Sequence, residues 1–232
     1  SPASTAKVTS CKIVSGLSPL NTCLLRFTAC TIAAMRLLIF AIALLLPYSA
    51  FAAKNILVFG DSLSAGYGIP IEKGWVNLLQ LELKRTQSKF NIVNASISGE
   101  TTIGGLQRID KALTQHQPAI VIVELGANDG LRGYNLADTE RNLDKIIAQS
   151  KRSKAKVLLV GMQLPLNYGE TYETKFRELY QQLAKKHRIL LLPFLLEGVT
   201  QNQFQPDNLH PTADAQQQIM LNVLQELKHL LH

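Results

Sequence analysis

The fold is decided by a short stretch near the middle of the chain, Ala119-Ile120-Val121-Ile122-Val123-Glu124-Leu125. Its four consecutive β-branched residues, 120–123, are typical of a strand buried on both faces, as the central strands of parallel sheets are. The run ends at Gly126-Ala127-Asn128-Asp129, where polar side chains begin. We therefore predict a parallel sheet with this segment as a central strand and a polar loop at its carboxyl end.

Apolar runs and helix-like segments alternate along the rest of the chain. Strands are predicted at residues 55–59, 91–94, 119–125, 157–161 and 189–192. Helices are predicted at residues 75–86, 103–115, 136–150, 171–187 and 212–231. Such alternation favours an α/β fold in which helices cover both faces of a parallel sheet. The carboxyl ends of the strands then share one edge, where ligands of such folds bind.

The first 52 residues differ in character from the rest. Met35-Arg36 is followed by ten apolar residues, 37–46, and then by Ala50-Phe51-Ala52. A basic start, a short apolar stretch and a small-x-small site are the parts of a signal peptide. Ten residues span about 15 Å as a helix, half of a bilayer core, which makes a membrane anchor the weaker alternative. We predict an upstream extension over 1–34, a signal peptide over 35–52, and one exported domain, periplasmic or secreted, over 53–232.

Charge and cysteine content narrow the possible partners of that domain. Four of the 24 basic residues precede residue 53, whereas all 17 acidic residues follow it, so the net charge falls from +7 to +3. This balance does not indicate a nucleic-acid-binding surface. The three cysteines also lie before residue 53, which excludes a disulfide, a thiolate nucleophile or a Cys-ligated metal in the domain. We expect a monomer without stable membrane insertion once the leader is removed.

Three polar motifs carry side chains suited to acyl transfer. They are Gly60-Asp61-Ser62-Leu63-Ser64 after the first strand, Gly126-Ala127-Asn128-Asp129 after the third, and Asp207-Asn208-Leu209-His210-Pro211 before the last helix. Acyl transfer by serine needs a nucleophile, a base, a group that orients the base, and donors for the developing oxyanion. The motifs offer all four, and two of them follow strands that end at the same edge of the predicted sheet.

Each motif taken alone has an alternative interpretation. Ser62 could cap a helix. Its surroundings match neither the G-x-S-x-G elbow, because residue 64 is Ser, nor a phosphate-binding loop. Asn128 could cap a turn, and Asp207 could cap its own loop. Among the histidines after residue 52, only His210 has an acid three residues before it and a helix start after it. The others are expected at the solvated surface: His116, His187, His229 and His232.

Together with Gly99 in the segment 94–101, the motifs resemble the four blocks of the SGNH (GDSL) hydrolase family, and in particular its bacterial periplasmic thioesterase and lysophospholipase branch. The resemblance implies a flavodoxin-like, three-layer α/β/α fold with a five-stranded parallel sheet and no cofactor or metal. It also implies Ser62 as nucleophile, His210 as base and Asp207 as its partner, with Ser62, Gly99 and Asn128 as oxyanion donors. Ala127 departs from the branch, which has a second glycine there.

The implied activity is hydrolysis of carboxylic esters and thioesters of fatty acyl or aryl groups, with a small-molecule acyl ester or thioester as the partner. The segment 162–169 follows the fourth strand, and the resemblance makes Leu164, Pro165 and Leu166 part of an acyl-binding groove. The alternative is that Leu164 and Leu166 pack in the core. Two other functions stay open, a carbohydrate O-acetyl esterase of the same family and a non-catalytic acyl-binding protein.

Overall fold

The computed structural model describes residues 54–231, except the side chain of Leu166. The predicted extension and signal peptide lie outside these residues and stay predictions. The apolar segments form five strands: β1 (Lys54–Gly60), β2 (Phe90–Asn94), β3 (Ile120–Glu124), β4 (Lys156–Val160) and β5 (Leu190–Leu192). They pair in parallel in the order β2-β1-β3-β4-β5. The predicted five-stranded parallel sheet is confirmed.

Seven α-helices are described in residues 54–231: α1 (Ser62–Ala65), α2 (Trp75–Arg85), α3 (Thr102–His116), α4 (Ala127–Leu131), α5 (Leu136–Arg152), α6 (Glu170–His187) and α7 (Gln216–Leu227). Helix α5 packs against α3 and α6 in one layer, and α2 packs against α7 in the other. The sheet lies between these layers, and β3 is its most enclosed strand, with no residue more than 1% exposed. The α/β/α architecture is therefore the predicted one.

The register of the two central strands positions the site. Gly60 at the end of β1 lies opposite Glu124 at the end of β3. The chain leaves β1 toward β2 on one side and leaves β3 toward β4 on the other. The strand order therefore reverses between these two ends, and such a switch point leaves an open crevice for a ligand.

The structure corrects the helix assignment in two places. Helices α1 and α4 are single turns that were not predicted, because four or five residues are too few to show a helical repeat. Asp129 and Gly130 consequently lie inside α4 rather than in a turn. The predicted final helix is divided into a 3₁₀ turn (Ala213–Ala215), α7, and a second 3₁₀ turn (Lys228–Leu230).

Candidate active site

Three of the predicted site residues form a hydrogen-bonded chain at the carboxyl edge of the sheet. Ser62 Oγ lies 2.8 Å from His210 Nε2, and His210 Nδ1 lies 2.7 Å from Asp207 Oδ2. Ser62 and His210 are 148 residues apart in sequence, so the fold is what brings them together. When Nδ1–H donates to Asp207, Nε2 remains the acceptor for the serine proton.

Ser62 is held at the start of the one-turn helix that follows β1. Asp61 caps α1 by accepting a hydrogen bond from Leu63 N at 3.0 Å, so Ser62 is the first helical residue. The N–H of a first helical residue has no partner within its helix. The interpretation of Ser62 as the helix cap is therefore wrong, because Asp61 has that position. The amide of Ser62 is left without a partner in the helix, and its hydroxyl is left to face His210.

Asp207 both closes its own loop and contacts the imidazole. Its Oδ1 accepts hydrogen bonds from the backbone N–H of Leu209 at 2.9 Å and of His210 at 3.0 Å, while Oδ2 faces the ring. The hydrogen bond from the His210 backbone N–H is the main cause that lowers the pKa of Asp207 to about 2. Asp207 therefore both caps its own loop and serves as the partner of His210, the two roles that the sequence left as alternatives. Its carboxylate stays charged at any physiological pH.

The side-chain amide of Asn128 has two acceptors in this structure. Its Nδ2 donates to Asp61 Oδ2 at 3.1 Å and to the backbone oxygen of Glu100 at 3.0 Å. A primary amide has two hydrogens, so both are engaged. A substrate oxygen can use this donor only by replacing one of the two acceptors.

Gly99 lies in a tight turn beside the end of β1. Its φ of +79° is in the left-handed region that favours glycine, and Glu100 N closes the turn onto Ile97 O at 3.1 Å. Ile97 N in turn donates to Gly60 O at 3.0 Å. Within residues 54–231 the N–H groups of Gly99 and Ser62 have no hydrogen-bond partner, which makes them available to an incoming oxygen.

Two buried carboxyl groups next to Ser62 were not singled out from the sequence. Asp61 is 1% exposed and Glu124 is fully buried, and Glu124 Oε2 accepts from Ser64 Oγ at 2.6 Å and from Asp61 N at 3.2 Å. Burial raises the pKa of Asp61 to about 6. Burial, and then the charge of Asp61, raises the pKa of Glu124 well above its ordinary value. The position of Glu124 at the end of an otherwise apolar strand was the signal that could have identified it.

An apolar groove of about 290 Å³ opens beside Ser62 and His210. Leu164 and Pro165 line it, whereas the side chain of Leu166 lies outside the described part of the chain. Leu164 is 6% exposed, so it is at once a core residue and part of the groove wall. Eight more apolar residues complete this wall: Leu63, Ala127, Leu131, Met162, Phe194, Leu196, Phe204 and Leu209.

Among residues 54–231, the remaining ionisable groups give no second candidate centre. In the described part of the chain no three His, Cys, Asp or Glu side chains are grouped to hold a metal ion. His187, expected at the solvated surface, is instead mostly buried, with Nε2 2.7 Å from Asp144 Oδ1. It ends α6, directly before β5, and therefore lies at the opposite edge of the sheet from Ser62. None of the helices between residues 54 and 231 is long and apolar enough to cross a bilayer.

Comparison with known proteins identifies the family. Residues 58–218 match the GDSL-like lipase/acylhydrolase family. The chain belongs to this family. Among GDSL-like relatives it is 44% identical to the esterase TesA of Pseudomonas aeruginosa, over 82% of this chain and 96% of that protein. It is 43% identical to an arylesterase of Vibrio mimicus, over 84% of this chain and all of the relative. It is 45% identical to thioesterase 1/protease 1/lysophospholipase L1 of Escherichia coli K12, over 76% of this chain and 85% of that protein.

Solved GDSL-like hydrolases have the same fold. The crystal structure of TesA superposes with a TM-score of 0.76, at 44% identity, over 77% of this chain and all of that one. The structure of the esterase EstA from Pseudoalteromonas sp., inhibited by monoethylphosphonate, superposes with a TM-score of 0.74 at 38% identity, over 77% of this chain and 98% of that one. These findings confirm the predicted family, fold class and carboxylic ester hydrolase activity.

Proposed function

We propose that this GDSL-like hydrolase cleaves carboxylic esters and thioesters of fatty acyl or aryl groups with Ser62 as its nucleophile. The observation that carries the proposal is the 2.8 Å contact between Ser62 Oγ and His210 Nε2 at the mouth of an apolar groove. Relatives named arylesterase and thioesterase 1/protease 1/lysophospholipase L1 support both ester and thioester substrates.

In the first step, His210 Nε2 takes the proton of the Ser62 hydroxyl while Oγ attacks the substrate carbonyl carbon. The charge that develops on the imidazole is stabilised by the Asp207 carboxylate, 2.7 Å from Nδ1. The imidazolium then gives its proton to the departing alcohol or thiol, which leaves an acyl-enzyme. In the second step, His210 removes a proton from water, whose oxygen attacks the acyl carbon. The bond between that carbon and Ser62 Oγ then breaks, the imidazolium returns its proton to Oγ, and the acid is released.

The negative oxygen of each tetrahedral intermediate is stabilised by the N–H groups of Ser62 and Gly99 and by the amide of Asn128. The two backbone donors have no competing partner among the residues described. The Asn128 amide reaches the oxyanion by exchanging the carbonyl of Glu100 for it, since the Asp61 carboxylate is the stronger acceptor. Such donors act mainly on the charged intermediate and therefore raise turnover more than they tighten substrate binding.

The groove favours an acyl chain over a sugar. Its wall is formed largely by leucine, phenylalanine and methionine side chains. Each methylene buried there contributes about 0.8 kcal/mol, nearly fourfold in specificity, until the groove ends. Catalytic efficiency should therefore rise from acetyl to medium-chain esters and then level off. A carbohydrate O-acetyl esterase would show the opposite order.

Export is part of the proposal. The segment 35–52 has the composition of a signal peptide, and cleavage after Ala52 would release one domain over 53–232, into the periplasm or the medium. N-terminal sequencing of the exported protein tests this directly. Recovery of the uncleaved chain in the membrane fraction would support an anchor instead.

The decisive experiment combines labelling with kinetics. A fluorophosphonate probe should label Ser62, and Ser62→Ala should lower p-nitrophenyl ester hydrolysis by about six orders of magnitude without unfolding the protein. Ser64→Ala serves as the control, because Ser64 donates to Glu124 rather than facing His210. Adduct formation at another serine, or resistance of the folded wild type to the probe, would contradict the mechanism and favour a non-catalytic acyl-binding protein.

A further inference from the structure

Gln205 connects the two segments that carry Ser62 and His210. Its side-chain Nε2 donates to the backbone oxygen of Tyr67 at 2.9 Å and to that of Pro211 at 3.1 Å. Tyr67 lies just after α1, which begins with Ser62, and Pro211 directly follows His210. One amide group therefore bridges the nucleophile segment and the base segment, which are far apart in sequence.

The backbone of Gln205 also shapes the loop that carries His210. Its N–H donates to His210 O at 2.7 Å, and its carbonyl accepts from Asn208 N at 2.9 Å. Phe204 and Pro211 pair as an isolated antiparallel bridge at the base of the same loop. The residues between this pair belong to no helix or strand, so these hydrogen bonds set the shape of the loop.

Tyr67 adds a side-chain contact between the same two segments. Its ring packs against the imidazole of His210, with ring centroids 4.5 Å apart and planes tilted by 41°. The next residue, Gly68, leaves room for Gln205, because a Cβ there would overlap Gln205 Oε1. The φ of Gly68 is also +74°, in the region that favours glycine. The backbone after α1 is thus shaped to receive the Gln205 side chain.

We propose that Gln205, with the ring of Tyr67, is a positioning residue that holds His210 Nε2 at proton-transfer distance from Ser62 Oγ. This inference rests on the hydrolase mechanism proposed above. Proton transfer requires heavy atoms about 2.6–3.2 Å apart, and a displacement of about 1 Å can lower turnover by about 100-fold. Gln205 does not line the groove, so it acts on the reaction through His210.

The test replaces Gln205 by methionine, which keeps the length of the side chain and removes its two donors. Gln201→Met is the matched control, since Gln201 Nε2 donates to Asn208 Oδ1 at 3.1 Å in the same segment and does not reach Tyr67. Gln205→Met should lower kcat for a p-nitrophenyl ester, and the rate of fluorophosphonate labelling, by about 10- to 100-fold. KM should stay within about twofold, and Gln201→Met should keep kcat within about twofold of wild type.

A second variant tests the positioning of His210 if Gln205→Met does not fold. Tyr67 is 53% exposed, so Tyr67→Leu removes the ring without opening the core. It should lower kcat by about 3- to 10-fold at unchanged KM, and Tyr67→Phe should restore most of the loss.

Several results would overturn the inference. One is a folded Gln205→Met variant with wild-type kcat, and another is a loss of kcat in Gln201→Met equal to that in Gln205→Met. Where Gln205→Met does not fold, a Tyr67→Leu variant with wild-type kcat would also overturn it. A wild type that neither hydrolyses esters nor takes up the probe would instead overturn the proposed function itself.

Discussion

The two halves of the site are held in place by different means. The nucleophile half, which comprises Gly60–Ser64, the Gly99 turn and Asn128, sits on strand ends and helix starts, and Asp61 within it is 1% exposed. The loop half, residues 205–211, contains no helix or strand, and the side chain of Asp207 is 38% exposed. Buried strand and helix ends with largely buried hydrogen bonds fix the first half, whereas mostly exposed hydrogen bonds within a loop fix the second.

This difference predicts whether a substitution in each half lowers activity alone or lowers stability as well. A change in the loop half alters a few exposed hydrogen bonds, so it should lower catalysis while the protein stays folded. A change in the nucleophile half leaves a buried polar group without its partner, which destabilises a protein by about 1–3 kcal/mol. The ratio of lost activity to lost stability therefore separates the halves, and Asp207→Asn and Asn128→Ala test it.

Among the variants that compare the two halves, Asp207→Asn in the loop half should have the largest effect. The change removes the charge that stabilises the imidazolium and favours the wrong tautomer of His210, so kcat should fall by up to about 10⁴-fold. Thermal unfolding should stay close to that of wild type, because the backbone amides of Leu209 and His210 retain an oxygen acceptor. Asp214→Asn, an exposed acid a few residues further on, is the control. A loss below about threefold would reduce Asp207 to a loop cap.

Asn128→Ala should have the next largest effect, in the nucleophile half. Loss of one oxyanion donor lowers kcat by about 100- to 1000-fold, with little change in KM. In addition, Asp61 Oδ2 loses its partner in a buried setting, so urea unfolding should show a loss of about 1–3 kcal/mol. A variant that binds substrate more weakly but keeps its turnover would make Asn128 a ground-state contact.

Glu124→Gln tests the buried carboxyl groups through the pH dependence of stability. Unfolded Glu124 loses its proton near its ordinary pKa of 4.5, whereas the folded protein retains it because burial raises the pKa. The unfolded state then binds fewer protons, so the free energy of unfolding falls as pH rises, by up to about 1.4 kcal/mol per pH unit. Asp61 contributes in the same direction up to its pKa of about 6.

Above about pH 6, therefore, the stability of Glu124→Gln should fall less steeply with pH than that of wild type. Urea unfolding between about pH 5 and 8 measures both slopes. Equal slopes would mean that Glu124 is ionised in the folded protein. Asp207 should contribute nothing in this range, because its pKa is lowered to about 2.

The smallest effect is expected in the groove, from Leu131→Ser. Leu131 lines the groove at the end of α4. Each methylene added to the acyl chain should raise catalytic efficiency by about fourfold in the wild type, and by less than that once the Leu131 side chain is removed. The ratio of kcat/KM for octanoyl and acetyl p-nitrophenyl esters should fall, with acetyl hydrolysis nearly retained. Leu221→Ser on the exposed face of α7 is the control. An equal loss for both esters would place Leu131 in the core rather than in the groove.

Much of the fold could be predicted because the strands are strongly patterned. The apolar run of β3 and its neighbours needed no tertiary information, and the predicted strand ends fall within one residue of the observed ones. Helices α1 and α4 were missed because one-turn helices depend on caps such as Asp61, whose role appears only when the strand end is in place. Ala127, where the branch has a second glycine, lies in α4 without a positive φ, and the left-handed φ of +116° belongs to Gly126.

The sequence by itself determined which chemical groups are available. A serine, a histidine with an acid three residues before it, and an asparagine after a buried strand are the groups that acyl transfer needs, and the resemblance to the SGNH hydrolases selected that chemistry among the alternatives. Tertiary structure decided the distances between these groups and how deeply each is buried. The contact of Ser62 with His210, the double engagement of Asn128, the raised pKa values of Asp61 and Glu124, and the bridge through Gln205 all join segments distant in sequence. Distances and burial between such segments exist only once the sheet has brought them to one edge.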